Sequence, residues 1–193
     1  VNMKPWQGPS LSSKMVYDFL ENRRDFLDGI VISGGEPTLQ NDLVVLCRRI
    51  KEIGYPIKLD TNGSRPQVIK LLLAESLLDY IAMDVKTSPF HYAPVIAKSC
   101  NPKWILSSIE TIMGSNVDYE FRSTCVKPIL NERAIDAIAK TIRGARRYVL
   151  QRFRNHKVLK PDYFKKTGSG YEEHELLHLK SIAEPWVCQC SIR

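Results

Sequence analysis

Strand-forming runs that alternate with helical patterns through most of the chain predict an α/β protein, a parallel sheet with its helices outside. Three observations carry this expectation. Five short apolar or β-branched runs are each followed by a stretch with apolar residues at helical spacing. No internal repeat or low-complexity segment interrupts the alternation. Each strand candidate also ends in glycines or polar residues, as ligand-binding strand ends do in parallel sheets. An open sheet and a (β/α) barrel both satisfy the pattern.

The elements follow in order. Ser12–Asp25 reads as a leading helix with no strand before it, and Val1–Pro9 as a loop; one upstream strand is therefore expected to be missing. Asp28–Ser33 is the first strand candidate. Asn41–Ile53 follows as a helix with Leu43, Leu46, Cys47, Ile50 and Ile53 on one face, and Gly54 ends it in a left-handed turn. Pro56–Asp60 is the second strand, after which Pro66 opens a helix over Gln67–Leu78. Asp79–Val85 is the third, followed by a loop and a helix over Lys103–Met113. Val117–Val126 is the fourth, and Asn131 caps a helix that stops at Gly144. Arg147–Phe153 is the fifth, Pro161–Gly170 a surface loop, and Tyr171–Ala183 a final helix.

Composition narrows the function classes. With 193 residues, 44% hydrophobic and 25% charged, the chain supports one sizeable core and is not a disordered protein. No apolar run reaches the roughly 18–20 residues of a membrane span, and a charged-then-apolar secretory leader is not expected. Five irregularly spaced cysteines do not read as a secreted disulfide framework, so a reducing cytoplasm is expected. The net charge is +7, from 28 basic and 21 acidic residues. It is concentrated: Lys140, Arg143, Arg146, Arg147, Arg152, Arg154, Lys157, Lys160, Lys165 and Lys166 face one acid, Asp162, within Lys140–Lys166. Such a stretch is a solvated face or a dock for an acidic partner; with no accompanying nucleic-acid motif, nucleic acid is not expected.

The strand ends hold the chemistry. They read Ser33-Gly34-Gly35-Glu36-Pro37, Asp60-Thr61-Asn62-Gly63 and Met83-Asp84-Val85-Lys86, then Arg122 with Thr124, then Gln151. Paired glycines let a backbone approach a ligand, and Glu36 offers an acceptor for an ammonium group. Asp60, Thr61 and Asp84 offer hard oxygens for a cation, and Lys86 and Arg122 would hold a carboxylate. A ligand with both an ammonium and a carboxylate, such as an amino-acid moiety, fits the set. Taken singly, Gly-Gly reads as a turn and Asp84 with Lys86 as an ordinary ion pair; their convergence at five strand ends is what speaks for a site.

Ile32 to Gln40, Leu59 to Gly63 and Asp79 to Lys86, in that order, resemble radical S-adenosylmethionine activating enzymes. The subgroup they resemble most is that of anaerobic ribonucleoside-triphosphate reductase activating proteins, near pyruvate formate-lyase activating enzymes. The resemblance runs from about Trp6 to Phe153. It implies a partial (β/α) barrel of the radical SAM type, here lacking its first strand and cluster loop. The whole chain, 1–193, would be a single domain, with the barrel over about 6–153 and a basic loop and helix over 154–193. By resemblance, Gly34, Gly35 and Glu36 meet the methionine amino group of S-adenosylmethionine, and Asp60, Thr61 and Asp84 hold a monovalent cation beside its carboxylate. Asn62 lies on the same rim; Lys86 and Arg122 contact the methionyl end, Thr124 lies near the ligand and Gln151 sits on the adenine side.

The family's three-cysteine loop, C-x-x-x-C-x-x-C, does not occur in this sequence. Cys47 reads as a helix-face residue, Cys100 as a loop residue and Cys125 as a strand residue, while Cys188 and Cys190 have the wrong spacing. No catalytic residue is therefore assigned within this chain, which is expected to be inactive alone. Completed by a [4Fe–4S] segment, such an enzyme would split S-adenosylmethionine to a 5′-deoxyadenosyl radical and form a glycyl radical on a partner such as anaerobic ribonucleotide reductase, with flavodoxin or ferredoxin as electron donor. Other readings are a cluster-free barrel that binds S-adenosylmethionine or a partner without catalysis, or a member acting on a different substrate. A rival motif is His174-Glu175-Leu176-Leu177-His178, an H-E-x-x-H pattern for zinc, structural or proteolytic, on a helix with charged flanks.

Overall fold

The computed structural model describes residues 11–88, 101–127, 129–153 and 170–193. The expected alternation is there: α1 (Ser13–Glu21), β1 (Ile30–Ile32), α2 (Leu43–Ile53), β2 (Ile57–Thr61), α3 (Pro66–Ala74), β3 (Tyr80–Asp84), α4 (Pro102–Met113), β4 (Asp118–Cys125), α5 (Glu132–Thr141), β5 (Tyr148–Arg152), α6 (Glu173–Ala183) and β6 (Cys190–Ile192). The six strands form one sheet in chain order, and every neighbouring pair is parallel. Sequential parallel order without reversal is a barrel wall rather than a doubly wound sheet. All strand C-termini therefore share one rim.

Local signals account for the boundaries. Gly54 has φ +106° and closes α2, and Tyr55 donates its amide to Ile50 O across that turn. Pro66 sits in the first turn of α3, and Asn131 accepts from the Ala134 amide as cap of α5. The leucines 77 and 78 extend the helical pattern, yet α3 stops at Ala74. Ser76, at φ +53°, donates to Leu73 O while the Leu77 amide reaches Leu72 O, a Schellman closure without glycine. It turns Leu77 and Leu78 back into the core.

β6 is absent from the sequence expectation. It is three residues long, with cysteine and serine in place of β-branched residues, and only its pairing with β5 makes it a strand. Val1–Pro9, Cys100, Arg154, Lys157, Lys160, Asp162, Lys165 and Lys166 lie outside the described residues, as does nearly all of the expected Pro161–Gly170 loop.

The core lies between the sheet and its helices. Ile57, Leu59, Ile81, Met83, Tyr119 and Phe121 are buried against Ile50, Ile69, Ile109 and Ile138 from the helices. The other face carries the alternate residues. It reads Lys58 and Asp60 on β2, Tyr80, Ala82 and Asp84 on β3, Glu120, Arg122 and Thr124 on β4 and Gln151 on β5, a polar lining where the first face is apolar. Among the described residues no helix is long and apolar enough to cross a membrane.

Candidate functional site at the strand C-termini

The rim begins with the turn after β1. Gly34 adopts φ +130°, and no atom of the described residues lies within 4 Å of where its Cβ would be, so the backbone there is open to a ligand. Glu36 follows and is turned inward, 8% exposed. Its Oε1 accepts from the Thr38 amide (3.2 Å), the Thr38 hydroxyl (2.6 Å) and the Thr61 hydroxyl (2.7 Å), and its Oε2 from the Asn62 amide (2.7 Å). The carboxylate read above as an ammonium acceptor thus staples the glycine turn to the end of β2.

The second segment is locked from below. Gly63 has φ +72°, a Cβ there would come within 2.1 Å of Met83 Cε, and Gly63 O accepts from the buried Ser108 hydroxyl at 2.7 Å. Asn62 Oδ1 accepts from the Ser64 amide, which shapes the turn. Thr61 and Asp60 point to opposite faces, as neighbours in a strand must. The Thr61 hydroxyl is on the buried side between Glu36 and the Gly63 amide; Asp60 is on the polar side.

On the polar face, Asp84 and Arg122 are directly paired across β3 and β4. Arg122 Nε and Nη2 lie 2.9 and 2.8 Å from Asp84 Oδ1, and Nη1 lies 3.3 Å from Asp60 Oδ2. Burial pulls this guanidinium's pKa down, but Asp84 and Asp60 outweigh it and hold the group above its ordinary value. Lys86 is exposed just beyond β3. Thr124 donates to Gln151 Oε1 at 3.4 Å, so these two rim residues are neighbours as well. The structure thus brings the predicted rim residues to one edge, and it separates Thr61 and Glu36 from the polar face.

Several contributors escaped the sequence reading. The Ser123 hydroxyl donates to Val85 O at 2.5 Å and accepts from Tyr148 OH at 2.8 Å, anchoring the exit of β3 to β4 and β5. Glu120, two residues before Arg122 and therefore on its face, is buried and accepts from both Nη atoms of Arg193 at 3.2 Å. Parity with Arg122 would have found Glu120. Its partner just follows the unrecognised β6.

The H-E-x-x-H segment lies elsewhere, beside a cavity of about 510 Å³ lined by Asn131, Glu132, Tyr171, His174, Glu175 and His178 at the starts of α5 and α6. Glu175 closes a capping box on the Glu172 amide (2.7 Å) and pairs with Lys127 (2.9 Å), and these two contacts hold its carboxyl below the usual range. His178 Nε2 lies 3.1 Å from Glu132 Oε1. Among the described residues no group of three His, Cys, Asp or Glu could hold a metal ion. Cys47, Cys125 and Cys190 are buried, and burial pushes their thiols up to about 11, 12 and 11; Cys188 is exposed.

Comparison with known proteins gives the family and the fold. The pattern of the radical SAM superfamily matches residues 3–142. A protein of Methanocaldococcus jannaschii that carries the name glycyl-radical enzyme activating enzyme is 38% identical over 187 residues, covering 93% of this chain and 77% of its own length. A 7-carboxy-7-deazaguanine synthase of Haemophilus influenzae is 32% identical over 117 residues, 60% of this chain and 46% of the relative. Among solved structures, a domain of pyruvate-formate lyase-activating enzyme from Bacteroides vulgatus superposes with TM-score 0.67 at 16% identity, over 86% of this chain and 99% of that one. Streptococcus suis SuiB bound to S-adenosylmethionine gives 0.69 at 13% identity, over 98% and 45%. These two likenesses concern the fold.

Proposed function

The chain belongs to the radical SAM superfamily, and from that membership we propose that its rim binds S-adenosylmethionine for the activation of a glycyl-radical enzyme. One observation carries the reading: Gly34, Asn62, Asp84, Arg122, Thr124 and Gln151, spread over more than half of the sequence, meet at one edge of a parallel sheet. The long match to the M. jannaschii relative supports the activating role.

The family implies both S-adenosylmethionine and a [4Fe–4S] cluster, and the residues treat the two differently. A cluster needs thiolates close together. Three of the described cysteines are buried with raised pKa values, on α2, β4 and β6, and they do not fit one. S-adenosylmethionine does fit. The Gly34 backbone is uncovered, and the methionyl carboxylate suits Arg122, whose two Nη atoms each retain an N–H beyond those facing the aspartates. Lys86 would add charge to the same end, with Thr124 near the ligand and Gln151 toward the adenine. Glu36 holds the glycine turn at a set distance from them through its bonds to Thr61 and Asn62. The bound group would supply, on one-electron reduction, the radical chemistry that takes a hydrogen atom from a glycine of the partner. Anaerobic ribonucleotide reductase or a relative would be that partner, with flavodoxin or ferredoxin supplying the electron.

Equilibrium dialysis with S-adenosylmethionine tests the rim. Saturable binding is expected, weakened about tenfold or more by Arg122→Ala, the loss of a charge-assisted contact. Binding untouched by both Arg122→Ala and Gly34→Val would put the ligand elsewhere. Release of 5′-deoxyadenosine from this chain under dithionite would overturn the expectation that it is inactive alone.

A further inference from the structure

Asp60 and Asp84 are where a cation would be sought on this rim, and a side chain of the protein already stands between them. Arg122 lies within 2.9 Å of Asp84 and 3.3 Å of Asp60 and is itself only 11% exposed. It reaches β2 across β3, where Ala82 sits opposite Asp60 and presents only a methyl group. The remaining oxygen, Asp60 Oδ1, is buried without a hydrogen-bond partner among the described residues and lies 3.7 Å from Lys58 Nζ. Lys58 is in turn held over the Tyr80 ring. Two carboxylates and two cations give this cluster a net charge of zero.

A monovalent ion would find one unpartnered oxygen here, Asp60 Oδ1, on a carboxylate that already faces the cations Lys58 and Arg122. Asp84 Oδ1 already faces two guanidinium nitrogens, and the ion would meet the like charge of Arg122 at close range. The third expected ligand is also engaged: the Thr61 hydroxyl lies on the opposite face, between Glu36 and Gly63. We propose that Arg122 is the resident cation of this rim, taking the place that the family resemblance gives to a monovalent ion, so that the site needs no such ion. The residues do not fit the ion because the protein supplies the charge itself. The inference concerns the rim of the proposed function, but it is read out on the protein without S-adenosylmethionine.

Thermal unfolding of the chain at constant ionic strength, with tetramethylammonium exchanged for sodium or potassium, tests it alongside sodium-23 relaxation. The expected melting temperature is the same in all three salts to within about 1 °C, and the sodium-23 line width equals that of Asp84→Asn. Arg122→Met leaves the aspartates uncompensated; it should melt roughly 5–15 °C lower and regain part of the loss in sodium or potassium only. If that variant does not fold, the wild-type salt series decides alone. A wild-type chain stabilised several degrees by one small cation, with the effect lost in Asp84→Asn, would overturn the proposal. Failure of the ligand reading looks different: S-adenosylmethionine would then not bind in any of the salts, while the melting temperatures remained alike.

Discussion

The rim and the α5–α6 corner make opposite cases about motifs. At the rim, residues from Gly34 to Gln151 come together because five parallel strands end at one edge. At the corner, His174, Glu175 and His178 sit within five residues on one helix, and no metal geometry results among the described residues. Glu175 is taken by the capping box and Lys127, and His178 by Glu132. Contiguity in sequence secures a shared helix face and nothing more. Convergence of several elements is harder to produce by accident, and it is what a ligand site requires.

Substitutions that disturb the rim should cost far more than those at the corner. Gly63→Val is expected to have the largest effect, about 3–5 kcal/mol in urea unfolding, because it combines positive φ with overlap at Met83. A loss under about 1 kcal/mol would mean that the packing beneath the rim is slack. Glu36→Ala comes next, at about 2–4 kcal/mol, since it strands the Thr61 hydroxyl and the Asn62 amide. S-adenosylmethionine binding should fall with it. Retained affinity would show that the glycine turn holds its place without the staple.

The core cysteines respond to pH rather than to either region. Burial raises the thiols of Cys47, Cys125 and Cys190 from 9.0 to about 11, 12 and 11. Between those limits the folded state binds more protons than the unfolded chain. Their contribution is therefore intact below pH 9 and falls as pH rises toward 11–12, visible as a declining urea midpoint. Peptide-mapped alkylation at pH 8 should mark Cys188 and spare these three. The smallest effect belongs to the corner: joint replacement of His174 and His178 by alanine should shift stability by no more than about 0.5 kcal/mol. Added zinc should leave the wild-type melting temperature unchanged, and a rise abolished by that double variant would restore the metal reading.

Much of the architecture was legible before any coordinates. Gly54, Pro66 and Asn131 marked helix ends correctly because capping depends on a few adjacent backbone groups. Two features were not legible for the opposite reason. β6 exists only through its bonds to β5, and α3 ends early because the turn at Ser76 lets Leu77 and Leu78 pack inward. The protein partners of Glu36 and Arg122 were not legible for the same reason. Sequence supplies the acid or the guanidinium, while the partner sits 25 residues away for Glu36 and Thr61, and 38 for Arg122 and Asp84.

By itself, then, the sequence determined the class of fold, the order of its elements and which residues would stand at the strand ends, because periodicity and caps are short-range properties of the chain. Tertiary structure alone decided which of those residues face one another. Strand register put Arg122 across from Asp84, the pleat sent Thr61 away from Asp60, and the small side chain of Ala82 let one guanidinium reach two strands. Those are relations between distant segments, and they exist only once the sheet has formed.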